Sequence, residues 1–482
     1  MSKFNSKVLK PKTLTTNLAG GESYKQSDEL ELVSILLTSF VTDQFYRTAD
    51  DTLAKLKASL DKVDPKFAAK AAIFARDNFG MRSITHALAA ELTKGSAGQD
   101  WAKNFYDKVV VRPDDMTEIL SYYINKNSSD KKIKFPNALK KGFSSAFDKF
   151  DNYQISKYIS SGKDVKLVDV VNLVHPIPSD RNSDSLKNLI SGTLRNTETW
   201  ESKLSQAGQE ATDGESLKDL KGKVWSDMLS SHKIGIMAIL RNLRNIIEQS
   251  PESVELACSS LRNVKLIQKS RLFPFRFKTA YDEIAKLPSS KIVRDVLVAL
   301  SDAIDISALN VPKFDGETLV VIDTSSSMKG KPSDIGSLFA AMLAKINNCD
   351  VMTFDSKANY VNYNPSDSIL TIKNSFVFNG GSTNFKDIFL KANKVYKRFI
   401  ILSDMQGWVS GGNPRAEFAQ YKSKFNCEPF VYSWDLNGYG SMMFPEKNVF
   451  ALAGFSDKVF QIMEYLEKDK NALVNEIKKI DL

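Results

Sequence analysis

The sequence predicts two folded parts: an irregular α-solenoid of HEAT type, then a doubly wound α/β domain with a mostly parallel sheet. Three observations predict this. From about Asp28 to about Leu309, apolar residues recur three and four apart in segment after segment. Between Asn310 and Thr318 that pattern breaks at Pro312 and Gly316. Beyond the break, short apolar runs alternate with helical stretches, as βαβ units require. At 482 residues the chain is too long for one ordinary core, and the stretch 311–482 suits one such domain.

The elements follow in order. Residues 1–27 are polar and aperiodic and read as a flexible arm before the helical domain at 28–310. Helical spacing predicts Glu29–Tyr46, Thr52–Leu60, Pro65–Phe79 and Ser83–Leu92, separated by turn signals such as Asp64-Pro65 and Gly95–Gly98. It continues through Asp115–Lys126, Pro136–Phe147, Ile155–Tyr158 with its flanks, and Val165–Leu173. Ser205–Lys223 is the most polar stretch and reads as a loop or insertion. Lys233–Ile247, Val254–Leu261, Phe275–Ala285 and Lys291–Ile304 complete the array, without an exact repeat. Strands are expected at 317–323, 349–354, 398–403, 428–433 and 448–453. Helices are expected at 334–347, 384–395, 414–424 and 456–479.

Composition narrows the class. Apolar content of 42% and charged content of 26% fit a soluble globular protein. No apolar run reaches the length of a membrane span, and Met1–Asn5 lacks the apolar core of a signal peptide. Cys258, Cys349 and Cys427 are far apart and form no CxxC pair, which argues against a zinc site or a disulfide framework. A reducing, cytoplasmic compartment is expected. The net charge of +9 is uneven. Residues 311–482 hold 20 Lys and Arg against 19 Asp and Glu, which leaves 46 against 38 for residues 1–310. Such a basic first part points to an acidic partner, nucleic acid foremost; the plainer alternative is a solvated lysine-rich surface.

Val320–Met328 is an apolar strand that breaks into Asp-x-Ser-x-Ser. A carboxylate and two hydroxyls in one turn suit a Mg²⁺-like cation, although Ser after Asp is more often only a hydrogen-bonded turn. Gly380–Asn384 adds Thr383, and Phe399–Asp404 is a second buried-type strand ending on an acid. Asp323, Ser325, Ser327, Thr383 and Asp404 thus lie in three strand-end loops of one sheet. This order and spacing resemble the metal-ion-dependent adhesion site of von Willebrand factor A domains. Without a divalent cation, Asp323 and Asp404 would face each other as like charges.

Further segments carry a second resemblance. Trp225–Leu229 leads to Ala238–Ile246, then Ile267–Arg276; earlier, Asp169–Pro176 ends a helix; later come Gly411–Pro414 and Ala453–Ser456. Together they resemble the TROVE module of the Ro ribonucleoprotein family, over nearly the whole chain and best from residue 165 onward. That resemblance implies a ring of HEAT-like repeats closed by an A domain, in a bacterial or phage member of the family. It implies an RNA-binding protein rather than an enzyme, taking single-stranded 3′ ends of misfolded structured RNA in a basic central hole. Small noncoding Y RNAs would lie on the outer face, with a role in RNA quality control alongside 3′-exoribonucleases. Lys157 and His175 match hole-facing basic positions of the family; the second basic position, four after Lys157, falls near Ser161 here. Lys163 and Arg181 lie nearby in sequence, and His175 reads equally as a helix cap before Pro176.

Other basic residues extend the candidate surface. Lys140 and Lys141 sit on the polar face of a helix, while Arg241 and Arg244 flank an apolar helix face and could instead form interhelical ion pairs. Lys265, Lys269, Arg271 and Arg276 form the densest cluster and are the expected outer-surface RNA contacts. Trp225 reads as core. No P-loop or nucleophile elbow is present, and His86, His175 and His232 stand in unrelated segments, so no enzyme is expected. The alternative reading is a protein-binding module whose metal recruits an acidic side chain, conceivably from a partner exoribonuclease.

Overall fold

The computed structural model describes residues 14–16, 22–25, 27–38, 49–129, 133–159, 163–194, 200–231, 234–270, 272, 274–311, 313–407, 414–436, 441–442, 448–453, 463, 467 and 472–482. Contacts divide the chain into two units. The sheet unit takes Met1–Val63, Lys313–Pro365 and Lys373–Glu476; the helical unit takes Asp64–Pro312, Ser366–Ile372 and Ile477–Leu482.

The N-terminal stretch read as an arm contains strands. β1 (Leu14–Thr16) and β2 (Glu22–Lys25) pair antiparallel. α1 (Asp28–Thr38) is almost wholly apolar along Leu32–Leu37, and α2 (Ala49–Leu60) packs on it. Both were expected as helices of the first array. They group with the sheet unit instead, because the apolar α1 packs against one of its strands, Val449–Ala453. The expected extension of α1 to Tyr46 lies outside the described residues.

The helical unit follows local chemistry closely. α3 (Pro65–Phe79) starts with Pro at N1 and the Asp64 carboxylate accepting from the Phe67 amide at 3.0 Å, and stops at left-handed Gly80 (φ 64°). α4 (Ser83–Glu91), α5 (Ala102–Lys108), α6 (Pro113–Lys126) and α7 (Asn137–Ala146) come next. α4 packs on α6, and α5 on α7 at Gly142, where a Cβ would sit 2.7 Å from the Lys103 carbonyl oxygen. Then come α8 (Asn152–Lys157), α9 (Leu167–Val174) and α10 (Ser183–Ile190).

The expected loop at Ser205–Lys223 is corrected to helix: α11 (Trp200–Glu210) and α12 (Gly214–Ser230) form an antiparallel-type pair with a short break. The stretch is polar because, among its described side chains, only Ala207 and Gly222 are buried. α12 buries its large side chains beyond it, at Trp225, Met228 and Leu229, and Trp225 stacks on Trp200 at 5.9 Å. α13 (Ile236–Gln249), α14 (Val254–Arg262), α15 (Val264–Ser270), α16 (Pro274–Ile284) and α17 (Lys291–Ser307) complete the array.

In the sheet unit β3 (Thr318–Asp323) is central and buried at every position. α18 (Lys331–Asn347) leads to β4 (Asp350–Phe354), and an unexpected antiparallel edge strand β5 (Ala358–Val361) follows. α19 (Ile369–Asn374), most of which groups with the helical unit, and α20 (Phe385–Lys391) precede β6 (Arg398–Ser403). α21 (Pro414–Phe425), β7 (Phe430–Asp435), β8 (Ser441–Met442), β9 (Val449–Ala453) and α22 (Ala472–Lys478) end the chain. The six-stranded order is β5-β4-β3-β6-β7-β9, parallel except for β5, while β8 joins β2 in a separate sheet. α18 packs on β3, β4 and β6; α20 and α21 build the core with Leu319, Val321, Phe399 and Ile401. The chain leaves β3 toward β4 and later returns to its other side as β6. The carboxyl ends of β3 and β6 therefore flank a topological switch point, where open α/β sheets place ligands.

Candidate cation site and basic surface

Asp323 is the last residue of β3 and Asp404 directly follows β6, so the switch point brings two carboxylates together. Both are fully buried. The turn after β3 is locked by its own groups: the Ser325 amide donates to Asp323 Oδ1 at 2.9 Å, and Thr324 Oγ1 donates to the Phe354 carbonyl at 3.0 Å. Ser325 Oγ and Ser327 Oγ lie 3.3 Å apart, both buried. Thr383 is buried on the loop beside them. That loop is tied on by Gly380 N donating to Thr324 O at 3.1 Å, by Ser326 N donating to Gly381 O at 3.2 Å, and by Ser326 Oγ donating to the Gly380 carbonyl. Gly381 is closely approached: a Cβ there would stand 2.8 Å from Ser356 Oγ and 3.0 Å from the Asp355 carboxyl, so those side chains would have to shift. The structure thus brings Asp323, Ser325, Ser327 and Asp404 together, with Thr383 on the loop tied to the same turn.

The electrostatics of this place are unfavourable as it stands. Burial pushes the Asp323 carboxyl above the usual range, against the help of Ser325 and Ser403; burial and then the Asp323 charge push Asp404 up as well. Asp404 Oδ1 accepts from the Gln406 amide at 3.2 Å, but Asp404 Oδ2 is buried with no hydrogen-bond partner among the described residues. An unpartnered buried oxygen beside a second carboxylate and two hydroxyls fits a hard divalent cation, which would neutralise both acids. Two neighbours escaped the sequence reading. Ser403 Oγ donates to Asp323 Oδ2 at 2.6 Å, and Asp435, buried at the end of β7, adds to the negative field at Asp404. Asp435 had a signal: β7, like β3, ends on an acid.

The basic candidates all belong to the helical unit, and most stand free. Lys141, Lys157, His175, Arg181, Arg241, Lys265, Lys269 and Arg276 are exposed, and Lys140 is half-buried. Among the described residues none of them has an ion-pair partner. Lys163 and Arg244 differ: Lys163 pairs with Glu118, and Arg244 with Glu248 at 2.9 Å. Arg241 on α13 and Arg276 on the adjoining α16 are close enough to repel; Arg276 is exposed as a residue, but partial desolvation of its guanidinium and then that repulsion lower its pKa. His175 ends α9 in the left-handed region (φ 47°), its amide donating to Val171 O at 2.9 Å, so its backbone caps while its side chain stays exposed. Arg271 lies outside the described residues. Trp225 is core, its Nε1 donating to Gln249 Oε1 at 3.0 Å.

A model of the TROVE domain matches residues 23–192 and 192–297. The chain belongs to the TROVE-domain family. The family match begins before β2 ends and stops short of β3, so the cation site lies outside it. Two relatives of this TROVE-domain chain, both telomerase protein component 1, come from Mus musculus and Rattus norvegicus. Each is 22% identical, over 354 and 348 residues. Those spans are 54% of this chain but only 13% of either relative. The crystal structure of the Deinococcus radiodurans RO (RSR) protein covers 94% of this chain and 99% of its own, with a TM-score of 0.62 at 14% identity. That likeness is one of fold, and it spans both units. No helix among the described residues is long and apolar enough to cross a membrane.

Proposed function

We propose that this TROVE-domain chain binds RNA through its helical unit and does not cut it. The observation that carries the reading is the set of exposed basic side chains without acidic partners among the described residues, the cations Lys157, Arg181, Arg241, Lys265, Lys269 and Arg276 together with the imidazole of His175. Free cations bind phosphates by releasing counterions, with little preference for sequence. Lys157, His175 and Arg181 would meet the single-stranded 3′ ends of structured or misfolded RNA, as the Ro resemblance implies. Lys265, Lys269, Arg241 and Arg276 would hold a folded, Y-like noncoding RNA. In the sheet unit Asp323, Ser325, Ser327, Thr383 and Asp404 would hold a divalent cation, Mg²⁺ by its preference for oxygen. The ion would supply charge neutralisation and a position for an acidic side chain from a protein partner, for which a ribonuclease is the natural candidate. The test is a mobility shift of the full chain with a structured RNA carrying an unpaired 3′ tail, followed by sizing of that RNA after incubation with Mg²⁺. A shifted, full-length RNA is expected; no shift, or shortened RNA, contradicts the proposal.

A further inference from the structure

Tyr153 is an aromatic residue that the fold holds rigidly and leaves 49% exposed. It lies in the first turn of α8, which is short but pinned on several sides. Asp151 and Gln154 cap each other, Asp151 N donating to Gln154 Oε1 at 3.0 Å and Gln154 N to Asp151 Oδ1 at 2.8 Å. Asn152 N donates to Arg181 O at 2.9 Å, Asn152 Oδ1 accepts from Ser185 N at 3.0 Å, and Asn152 O accepts from Ser185 Oγ at 3.1 Å. α8 buries Ile155 and Ser156 and turns Tyr153 and Lys157, four residues apart, outward.

Cations and rings alternate along this strip. Lys157 Nζ stands 5.7 Å from the ring centroids of both Tyr153 and Tyr158, and the Arg112 guanidinium lies 4.3 Å over Tyr158. Arg112 is itself fixed by Asp114 at 2.9 Å. A surface that bound only phosphates would have no use for an exposed ring beside its lysine. Unpaired bases offer their faces to aromatic side chains, whereas bases inside a duplex have theirs covered. We propose that Tyr153 is a base-stacking platform for single-stranded RNA, with Lys157 meeting the adjacent phosphate. The inference rests on the RNA-binding reading above and deepens it. Discrimination against duplex then comes from the chemistry of exposed base faces and not only from the size of an opening.

The experiment compares the full chain on two forms of one structured RNA, with a normal single-stranded 3′ tail and with an abasic tail that keeps its phosphates. Tyr153→Ala weakens binding of the normal tail roughly 5- to 150-fold, the range that base–aromatic stacking supplies, and Tyr153→Phe restores it. The same Tyr153→Ala change leaves abasic-tail binding and the salt slope untouched, while Lys157→Ala lowers the slope by about 0.7, one phosphate contact on a single strand. Undiminished normal-tail binding by Tyr153→Ala overturns the inference, as does an equal loss on the abasic tail, which would mark Tyr153 as structural. Both results leave the RNA-binding reading standing. If the unaltered chain binds neither RNA, the RNA reading fails and the stacking inference falls with it.

Discussion

Asp404 Oδ2 is buried, unpartnered and set beside a second buried carboxylate, and this single atom makes a sharp prediction. The ordinary carboxyl pKa of 3.8 is raised in the fold for both Asp323 and Asp404. Without an ion, the folded state therefore keeps protons that the unfolded chain has released, and these two groups cost stability as pH rises above about 4. A divalent cation removes that cost. The rise in Tm on adding Mg²⁺ is expected to be larger at about pH 7.5 than at about pH 5, and Asp404→Asn should abolish most of it. An equal Mg²⁺ effect at both pH values, by differential scanning fluorimetry, would count against the site.

Asp115 behaves oppositely. Burial works against its charge, but the hydrogen bond from His86 and the charge of Arg76, at 2.8 Å, hold its carboxyl well below the usual range. Its contribution is present above pH 4 and lost as pH falls below that. Asp115→Asn leaves the buried Arg76 without its counter-charge and should cost about 3–5 kcal/mol in urea unfolding. A loss near zero would show that the cluster is not coupled. Four of the candidate cation donors were legible because they sit in oxygen-rich turns at the ends of β3 and β6; Thr383 lies instead in the loop between α19 and α20. Ser403 was not legible, because its role depends on a rotamer that points back across β3.

At the scale of elements, close helix approach is set by glycines as much as by apolar stripes. Gly142 of α7 faces Tyr106 Cβ and the Lys103 carbonyl of α5, so an added methyl meets backbone that cannot turn aside. Gly142→Ala should destabilise by about 1–3 kcal/mol, seen as a lower Tm; an unchanged Tm would mean that α5 and α7 separate freely. Long amphipathic helices such as α3, α6, α13 and α17 were legible from their spacing. α12 was not, because Gly222, Trp225, Met228 and Leu229 are a thin stripe in a polar sequence. The short α5, α10 and α15 escaped too, since two turns hold too few residues to show a period. β1 and β2 were not legible because they are short and polar, and β2 pairs on its other side with β8, a partner more than 400 positions away in the chain.

Across the whole molecule, charge and chemistry are divided between the units. The excess positive charge lies before residue 311, and the candidate cation site after it. The break at Pro312–Gly316 was legible as a change of period, and the sheet that follows has the expected strands. The assignment of α1 and α2 to the sheet unit was not, because a helical pattern does not reveal which surface it will cover. We propose that the helical unit binds single-stranded RNA electrostatically. Fluorescence anisotropy of one structured RNA, with and without an unpaired 3′ tail, across a salt series tests it most directly. Tighter binding of the tailed RNA is expected at every salt concentration, with log K falling linearly with log salt by about 0.7 per phosphate contacted on a single strand. Equal affinity for the two RNAs, or a flat salt dependence, would contradict it.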